Sequence, residues 1–401
     1  MKVTVVGLRG FPDVQGGVET HAEKLYPRLV AAGCAVEVLG RQGYLAPGSP
    51  PYLGVTFRVL PTLRTAGLEA VLHTFLCVLV CAVRRPDIVH FHAIGPSLWV
   101  PLARLAGLRV VMTHHGPDYQ REKWGGFAKL VLRLGEWAGA RFSHRVIAIS
   151  GGIRRALQEQ FGVEAELIPN GVELPEIGSG TGALTQFDLL PGKYLLHVGR
   201  FVPEKRQLDL LGAFEALQSR PGFEHWKLVL VGAADHQSGY SREVVERAKG
   251  QSNVVIAGFQ KNPALGELFR WAGVFVLPST HEGLPIALLE ALSYGLPVVA
   301  SDIEANVEVG LPPESYARVG DVQDLAARID LAARTEQTDE MRTGRRQMVA
   351  ERYCWDQVAA HTCAVYREVI ESGAHKSRAE SDSVARNQPS TDGRIEVRET
   401  E

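Results

Sequence analysis

Short apolar runs alternate with helix-length amphipathic segments twice along this chain of 401 residues, and that rhythm constrains the fold more than any other feature. The first series is Lys2–Val6, Ala35–Leu39, Asp87–Phe91, Arg109–Thr113 and Arg145–Ile149. The second is Tyr194–Val198, Lys227–Val231, Val254–Ala257, Val274–Leu277 and Val298–Ala300. Short apolar strands separated by helices read as parallel sheets covered on both faces. The expected class is therefore α/β with two such sheets, and ligands in these folds bind beyond the carboxyl ends of the strands. The Gly- and Pro-rich stretch 173–192 divides the chain into domains 1–172 and 193–353. A helix over 354–372 follows, and the polar, aperiodic segment 373–401 is expected to be a disordered tail.

Two segments of the second half carry chemistry. Ser279 to Ala291 sets Glu282 before, and Glu290 inside, a helix that begins near Pro285. The free N–H groups of a helix start favour an anion, and carboxylates accept hydrogen bonds from hydroxyls. Alone, this could be an ordinary acidic helix start. Gly199-Arg200 to Lys205, at the end of another strand, adds a guanidinium that can fork two phosphate oxygens and a lysine point charge. Alone, these could be solvated loop cations. Cations, a helix start and two carboxylates together suit a diphosphate that carries a sugar.

With these residues in view, the chain resembles the retaining glycosyltransferases of family 4, which have the GT-B fold of two Rossmann-like domains facing a central cleft. The matching elements are the Glu-x7-Glu pair Glu282 and Glu290, Arg200 to Lys205, Gly16-Gly17-Val18-Glu19, Ala148-Ile149-Ser150, Ile168-Pro169-Asn170-Gly171-Val172 and Gly295 to Ser301. They span residue 1 to about 370. The resemblance implies an acceptor-binding first domain, a nucleotide-sugar-binding second domain and a last helix that returns to the first. It implies donor contacts from Gly17, Arg200, Lys205, Gly283, Leu284, Pro285, Ile286 and Glu290, with His115 and Glu282 at the reacting sugar and His114 as the other register of that histidine. The implied reaction moves a hexose-type sugar from a UDP- or GDP-linked donor to a saccharide or lipid-linked acceptor, in cell-surface or exopolysaccharide synthesis. Arg206 departs from the family pattern, standing where a glycine is frequent.

Composition narrows the alternatives. The first strand is followed by Gly7-Leu8-Arg9-Gly10-Phe11 rather than GxGxxG, which argues against a nicotinamide dinucleotide. No Asp-x-Asp triplet occurs, so a reaction without a metal ion or other cofactor is expected. Cys34, Cys77, Cys81, Cys354 and Cys363 lie mostly in apolar or helical contexts and read as reduced cysteines of a cytoplasmic protein. Residues 1–171 hold 19 Lys/Arg against 12 Asp/Glu, a net +7, and the remainder carries −9. Leu68–Val83 is very apolar but is interrupted by Glu69 and His73, so it reads as a buried helix rather than a membrane span. With Arg64, Arg84 and Arg85 beside it, it leaves open a reversible seat on the inner face of the plasma membrane. No nucleic-acid signature accompanies the charge.

His90, His92, His114 and His115 near adjacent strand ends raise an alternative, a metal-dependent hydrolase assisted by Asp118. It leaves Arg200, Lys205 and both glutamates unexplained. A GT-B nucleotide-sugar epimerase is the other alternative, and a noncatalytic scaffold a further one.

Overall fold

A computed structural model describes residues 1–62, 69–120, 124–176, 178–234 and 238–386, with side chains to residue 372. Arg64, Leu68 and the tail 387–401 lie outside the described residues. The first sheet holds β1 (Lys2–Val6), β2 (Ala35–Arg41), β3 (Thr56–Leu60), β4 (Ile88–His92), β5 (Val110–His114), β6 (Arg145–Ala148) and β7 (Glu166–Leu167), in the order 3-2-1-4-5-6-7. The second holds β8 (Tyr194–Val198), β9 (Lys227–Val231), β10 (Val254–Gly258), β11 (Val274–Leu277), β12 (Val298–Ser301) and β13 (Tyr316–Ala317), in the order 10-9-8-11-12-13. All the pairs are parallel, and each sheet reverses its winding beside its first strand, where such folds bind ligands.

Alternation along the strands assigns the two faces of the first sheet. Val3, Val5, Ile88 and Val111 pack against α1 (Gly17–Ala31), together with residues near the chain's end. Val6, Val89, Phe91 and Met112 pack against α2 (Glu69–Arg84), α3 (Val100–Leu105), α4 (Gly126–Phe142) and α5 (Gly151–Phe161). Of the run expected to be a buried helix, residues 69–83 lie in α2, which is buried on one face only: Val71, Thr74, Cys77, Val78 and Cys81 are buried, but Leu72, Leu76, Leu79 and Val83 are exposed. Among the described residues no helix is long and apolar enough to cross a membrane.

The stretch 173–192 is not a plain linker. Its second half forms α6 (Gly182–Gln186), with Ala183 and Leu184 buried. The second domain continues with α7 (Gln207–Gln218), α8 (Gly239–Lys249), α9 (Ala264–Trp271), α10 (Ile286–Ser293), α11 (Glu304–Val307), α12 (Val322–Arg334) and α13 (Asp339–Arg352). Glu267 of α9 accepts the Ala183 N–H at 2.7 Å, so α6 is tied to the second domain by satisfying its own free amides.

α14 (Trp355–Arg386) crosses back and lays Trp355, Val358, Tyr366 and Val369 on the α1 face of the first sheet. It also corrects the expected tail, because the helix continues past Ser372 to Arg386. That segment is polar but has no proline, and Ala374, Ala379, Ala385, Lys376, Arg378 and Arg386 are good helix formers that carry the helix on from the packed part. The two crossings between domains lie side by side: Val172 and Cys354 form a parallel bridge, and the Val172 N–H donates to the Tyr353 carbonyl at 2.7 Å. A Cβ on Gly171 would come within 2.9 Å of the Trp355 Cα. Gly171→Ala should therefore destabilise the protein by roughly 1–3 kcal/mol, as overpacking does, which urea unfolding would measure. An unchanged midpoint would contradict this packing.

Candidate active site

The carboxyl ends of both sheets face a cleft of about 1890 Å³, and its lining includes Gly17, His115, Arg200, Lys205, Glu282, Gly283, Leu284, Pro285, Ile286 and Glu290. On the second domain, β8 ends at Val198 and Gly199, and Gly232 packs so closely on the Gly199 carbonyl that a Cβ there would overlap it. The turn delivers Arg200 and then Lys205. Lys205 Nζ donates to Glu282 Oε1 at 2.5 Å, with both side chains mostly shielded from water. Arg206 adopts a left-handed backbone, φ 54°, which explains the usual glycine there, and its guanidinium bonds Asp209 at 2.7 Å.

After β11 the chain passes through Glu282 to Pro285, the residue that caps α10, one position before the expected first turn. The amides of the first helical turn have no intrahelical acceptor, so this end favours an anion electrostatically. Leu284 differs from its neighbours: its side chain is in the core, and its carbonyl accepts from Asn170 Nδ2 at 2.8 Å. Glu290 sits one to two turns further along, on the cleft wall and largely shielded from water. Burial pushes its carboxyl up to about 7, with Glu173 adding to the effect and Lys24 opposing it.

On the first domain, β5 separates the paired histidines. His114 accepts the Gly116 N–H on Nδ1 at 3.1 Å, so its proton sits on Nε2 and is donated to Glu136 at 2.8 Å. His114 thus shapes the turn, and His115 is the one that faces the cleft. Gly283 packs against this turn, where any Cβ would strike the His115 carbonyl. At the start of α1, a Cβ on Gly16, φ 155°, would strike Glu19 and Arg9, whereas Gly17 opens onto free space.

Comparison with known proteins agrees with this geometry. Residues 15–176 match the model of Glycosyltransferase Family 4, and residues 192–334 match that of Glycosyl transferases group 1. The phosphatidyl-myo-inositol mannosyltransferase of Mycobacterium leprae is 29% identical over 90% of this chain and 96% of its own. The GDP-mannose:cellobiosyl-diphosphopolyprenol alpha-mannosyltransferase of Xanthomonas oryzae is 27% identical over 72% of this chain and 76% of its own. In structure, Anabaena HepE in complex with UDP-glucose superposes with a TM-score of 0.74 at 18% identity, covering 93% of this chain and 100% of that one. The sucrose-phosphate synthase of Thermosynechococcus elongatus gives 0.75 at 21%, covering 92% and 99%.

This chain belongs to glycosyltransferase family 4. The family 4 enzyme has the GT-B fold, and the hydrolase alternative is not favoured. The four histidines of that alternative do not converge: His114 turns to Glu136, while His90 binds Thr113 at 2.7 Å and the Tyr366 hydroxyl at 2.6 Å. Among the described residues, one trio, His21, His92 and His115, brings ring nitrogens within 4.8 Å of one another. In it, His92 Nδ1 and His115 Nε2 already share a hydrogen bond of 2.8 Å. Behind them the Tyr26 hydroxyl meets His92 Nε2, so Tyr26, His92 and His115 form one hydrogen-bonded chain whose direction depends on the tautomer of the two rings.

Three residues near the site, Arg9, Glu19 and His21, were given no role of their own by the sequence reading. Arg9 makes a two-pronged contact with buried Glu19, at 3.0 and 2.9 Å. Burial pushes the Glu19 carboxyl up, but Arg9 and the more distant Arg200 outweigh it and hold the group below its ordinary value. His21 Nδ1 pairs with Asn170 Oδ1 at 2.9 Å, and its buried Nε2 has no hydrogen-bond partner. The flanking Gly16-Gly17 and the Ile168–Val172 motif were the only local signals.

The titrations have opposite signs. Unfolded, Glu290 ionises near 4.5, whereas folded it keeps its proton to about 7. Its contribution is therefore present at low pH and lost as pH rises through 7, by roughly 3 kcal/mol. Glu290→Gln should raise the melting temperature at pH 8 more than at pH 5, and an equal effect at both would refute the buried acid. Burial pushes His21 to about 4, His90 to about 3, and His92 and His115 well below the ordinary 6.5. Unfolded imidazoles take up protons first, so this stability is complete above 6.5 and falls as pH drops towards 4. Denaturant titrations across that range should show the decline, and a flat profile would count against the buried cluster.

Proposed function

We propose that the enzyme transfers a hexose from a UDP- or GDP-linked sugar to a saccharide or lipid-linked acceptor in cell-surface or exopolysaccharide synthesis, with retained anomeric configuration and without a metal ion or other cofactor. The observation that carries this reading is the convergence of Arg200, Lys205, the start of α10 and two carboxylates on one cleft, opposite His115. The named activities of the relatives supply the substrate classes: mannosyl transfer to phosphatidyl-myo-inositol in one, and from GDP-mannose to a diphosphopolyprenol-linked sugar in another.

In the proposed mechanism Arg200, Lys205 and the free amides near Gly283 to Ile286 receive the charge that grows on the departing diphosphate. Pro285 contributes by fixing the turn, since it has no N–H. Preorganised donors of this kind favour the transition state because they need not reorganise during reaction. Gly17 lets the start of α1 approach the donor. Glu282, released from Lys205 when phosphate takes its place, accepts from sugar hydroxyls, and Glu290 accepts from the ribose. His115, facing the cleft, hydrogen-bonds and orients the sugar. The acceptor oxygen attacks C1 on the face the diphosphate leaves, the C1–O bond to phosphate breaks, and the acceptor proton passes to the leaving phosphate oxygen. No carboxylate nucleophile is needed. The enzyme works in the cytoplasm, where its nucleotide donors are, on acceptors held at the inner membrane face.

Calorimetry with UDP- and GDP-sugars tests the donor site: Arg200→Ala and Glu290→Ala should each weaken binding by roughly 1.5–3 kcal/mol, the worth of a charge-assisted contact. Unchanged affinity in both would sink the assignment. NMR of the product should show the donor's anomeric configuration, and EDTA should leave the rate unchanged. Loss with EDTA and rescue by zinc would instead implicate the His21, His92 and His115 trio.

A further inference from the structure

Resting on that reading of a lipid-linked acceptor, we propose that the outer face of α2, α3 and α4 is the surface by which the enzyme seats on an anionic lipid bilayer. On α4 the residues Phe127, Leu130, Leu134 and Trp137 recur at three- and four-residue steps, and each is between 45% and 74% exposed. They form a stripe facing away from the sheet, since Leu132, Gly135, Glu136 and Gly139 are buried on the other side. α2 exposes Leu72, Leu76, Leu79 and Val83, and Leu105 at the end of α3, 85% exposed, lies on the helix that contacts both α2 and α4. Isolated exposed leucines are ordinary, but a continuous apolar surface over three neighbouring helices marks an interaction site.

Charge selects the occupant. Arg104, Arg133 and Arg141 are exposed on these helices, Lys129 is half-buried among them, and Arg84 is exposed but already pairs with Glu37 of β2 at 3.4 Å. The only carboxylates on the three helices are Glu69, which pairs with Arg41, and Glu136, which is buried against His114. A second copy of this face would oppose cation to cation, whereas anionic headgroups match the cations and the acyl boundary accepts the apolar side chains. Position supports the same occupant. Ala70 and Val71 of α2, Leu132 of α4 and neighbouring Trp124 also line the cleft. The elements that would rest on the bilayer therefore wall the acceptor side of the site, and a headgroup could enter without its chains leaving the lipid.

Co-sedimentation with phosphatidylcholine vesicles, with and without about 30 mol% phosphatidylglycerol to make the surface anionic, tests this on the full chain. Binding should require the anionic lipid and fall with salt. Arg133→Gln should lower partitioning about fivefold, equivalent to ~1 kcal/mol, and Leu134→Gln with Trp137→Ser should abolish it. UDP- or GDP-sugar affinity of the same variants, measured by calorimetry without vesicles, should equal that of the parent, which shows that they are folded. Equal binding to both vesicle types, no binding, or wild-type partitioning of the variants would overturn the docking face while intact donor binding leaves the transferase reading standing. Absent donor binding in the parent would fail that reading separately.

Discussion

The site depends on one close contact: the turn after Glu282 touches the turn after β5 backbone to backbone, at a place where Gly283 has room for no side chain against the His115 carbonyl. Because each turn ends a central strand of its own sheet, this contact sets the distance between the two sheets' carboxyl ends. Asn170 repeats the connection one layer away, binding His21 of the first domain and the Leu284 carbonyl of the second. The anion seat of α10 and the His115 ring are thereby positioned by the same few atoms.

Behind that contact the protein keeps an unusual amount of buried polar chemistry. Neutral imidazoles and tyrosine hydroxyls satisfy one another in a chain from His115 through His92 and Tyr26, with His90 joining Tyr366 of α14. Such a network is stable only when nearly every group has a partner, and it fixes ring orientation in return. Glu290 is the contrasting case, a carboxyl whose removal from water disfavours its charge, with Glu173 adding to the effect and Lys24 opposing it.

The parallel architecture was legible because every central strand is a continuous apolar run, and the cleft motifs were legible because each ends such a strand. β3, β7 and β13 were not, since edge strands are short, half-exposed and weak in apolar signal. α6 was hidden in a Gly-rich stretch and is held by Glu267, about 80 residues away in sequence. The roles of Glu19, His21 and Asn170 depend on partners brought together by folding, and a local pattern carries no record of them. Arg206 was noticed as a departure, but only its backbone angle explains why glycine is frequent there.

The paired crossings at Val172 and Cys354 have a mechanical consequence. The second domain is in effect an insertion whose entry and exit strands are stitched together at one point. Two cables anchored far apart would permit a body to slide or tilt in several directions. Two cables bound into one knot act as a pivot, so any relative motion that preserves the bridge swings the second domain about that pivot and must strain or break the Asp13–Lys261 ion pair of 2.7 Å that also joins the two domains.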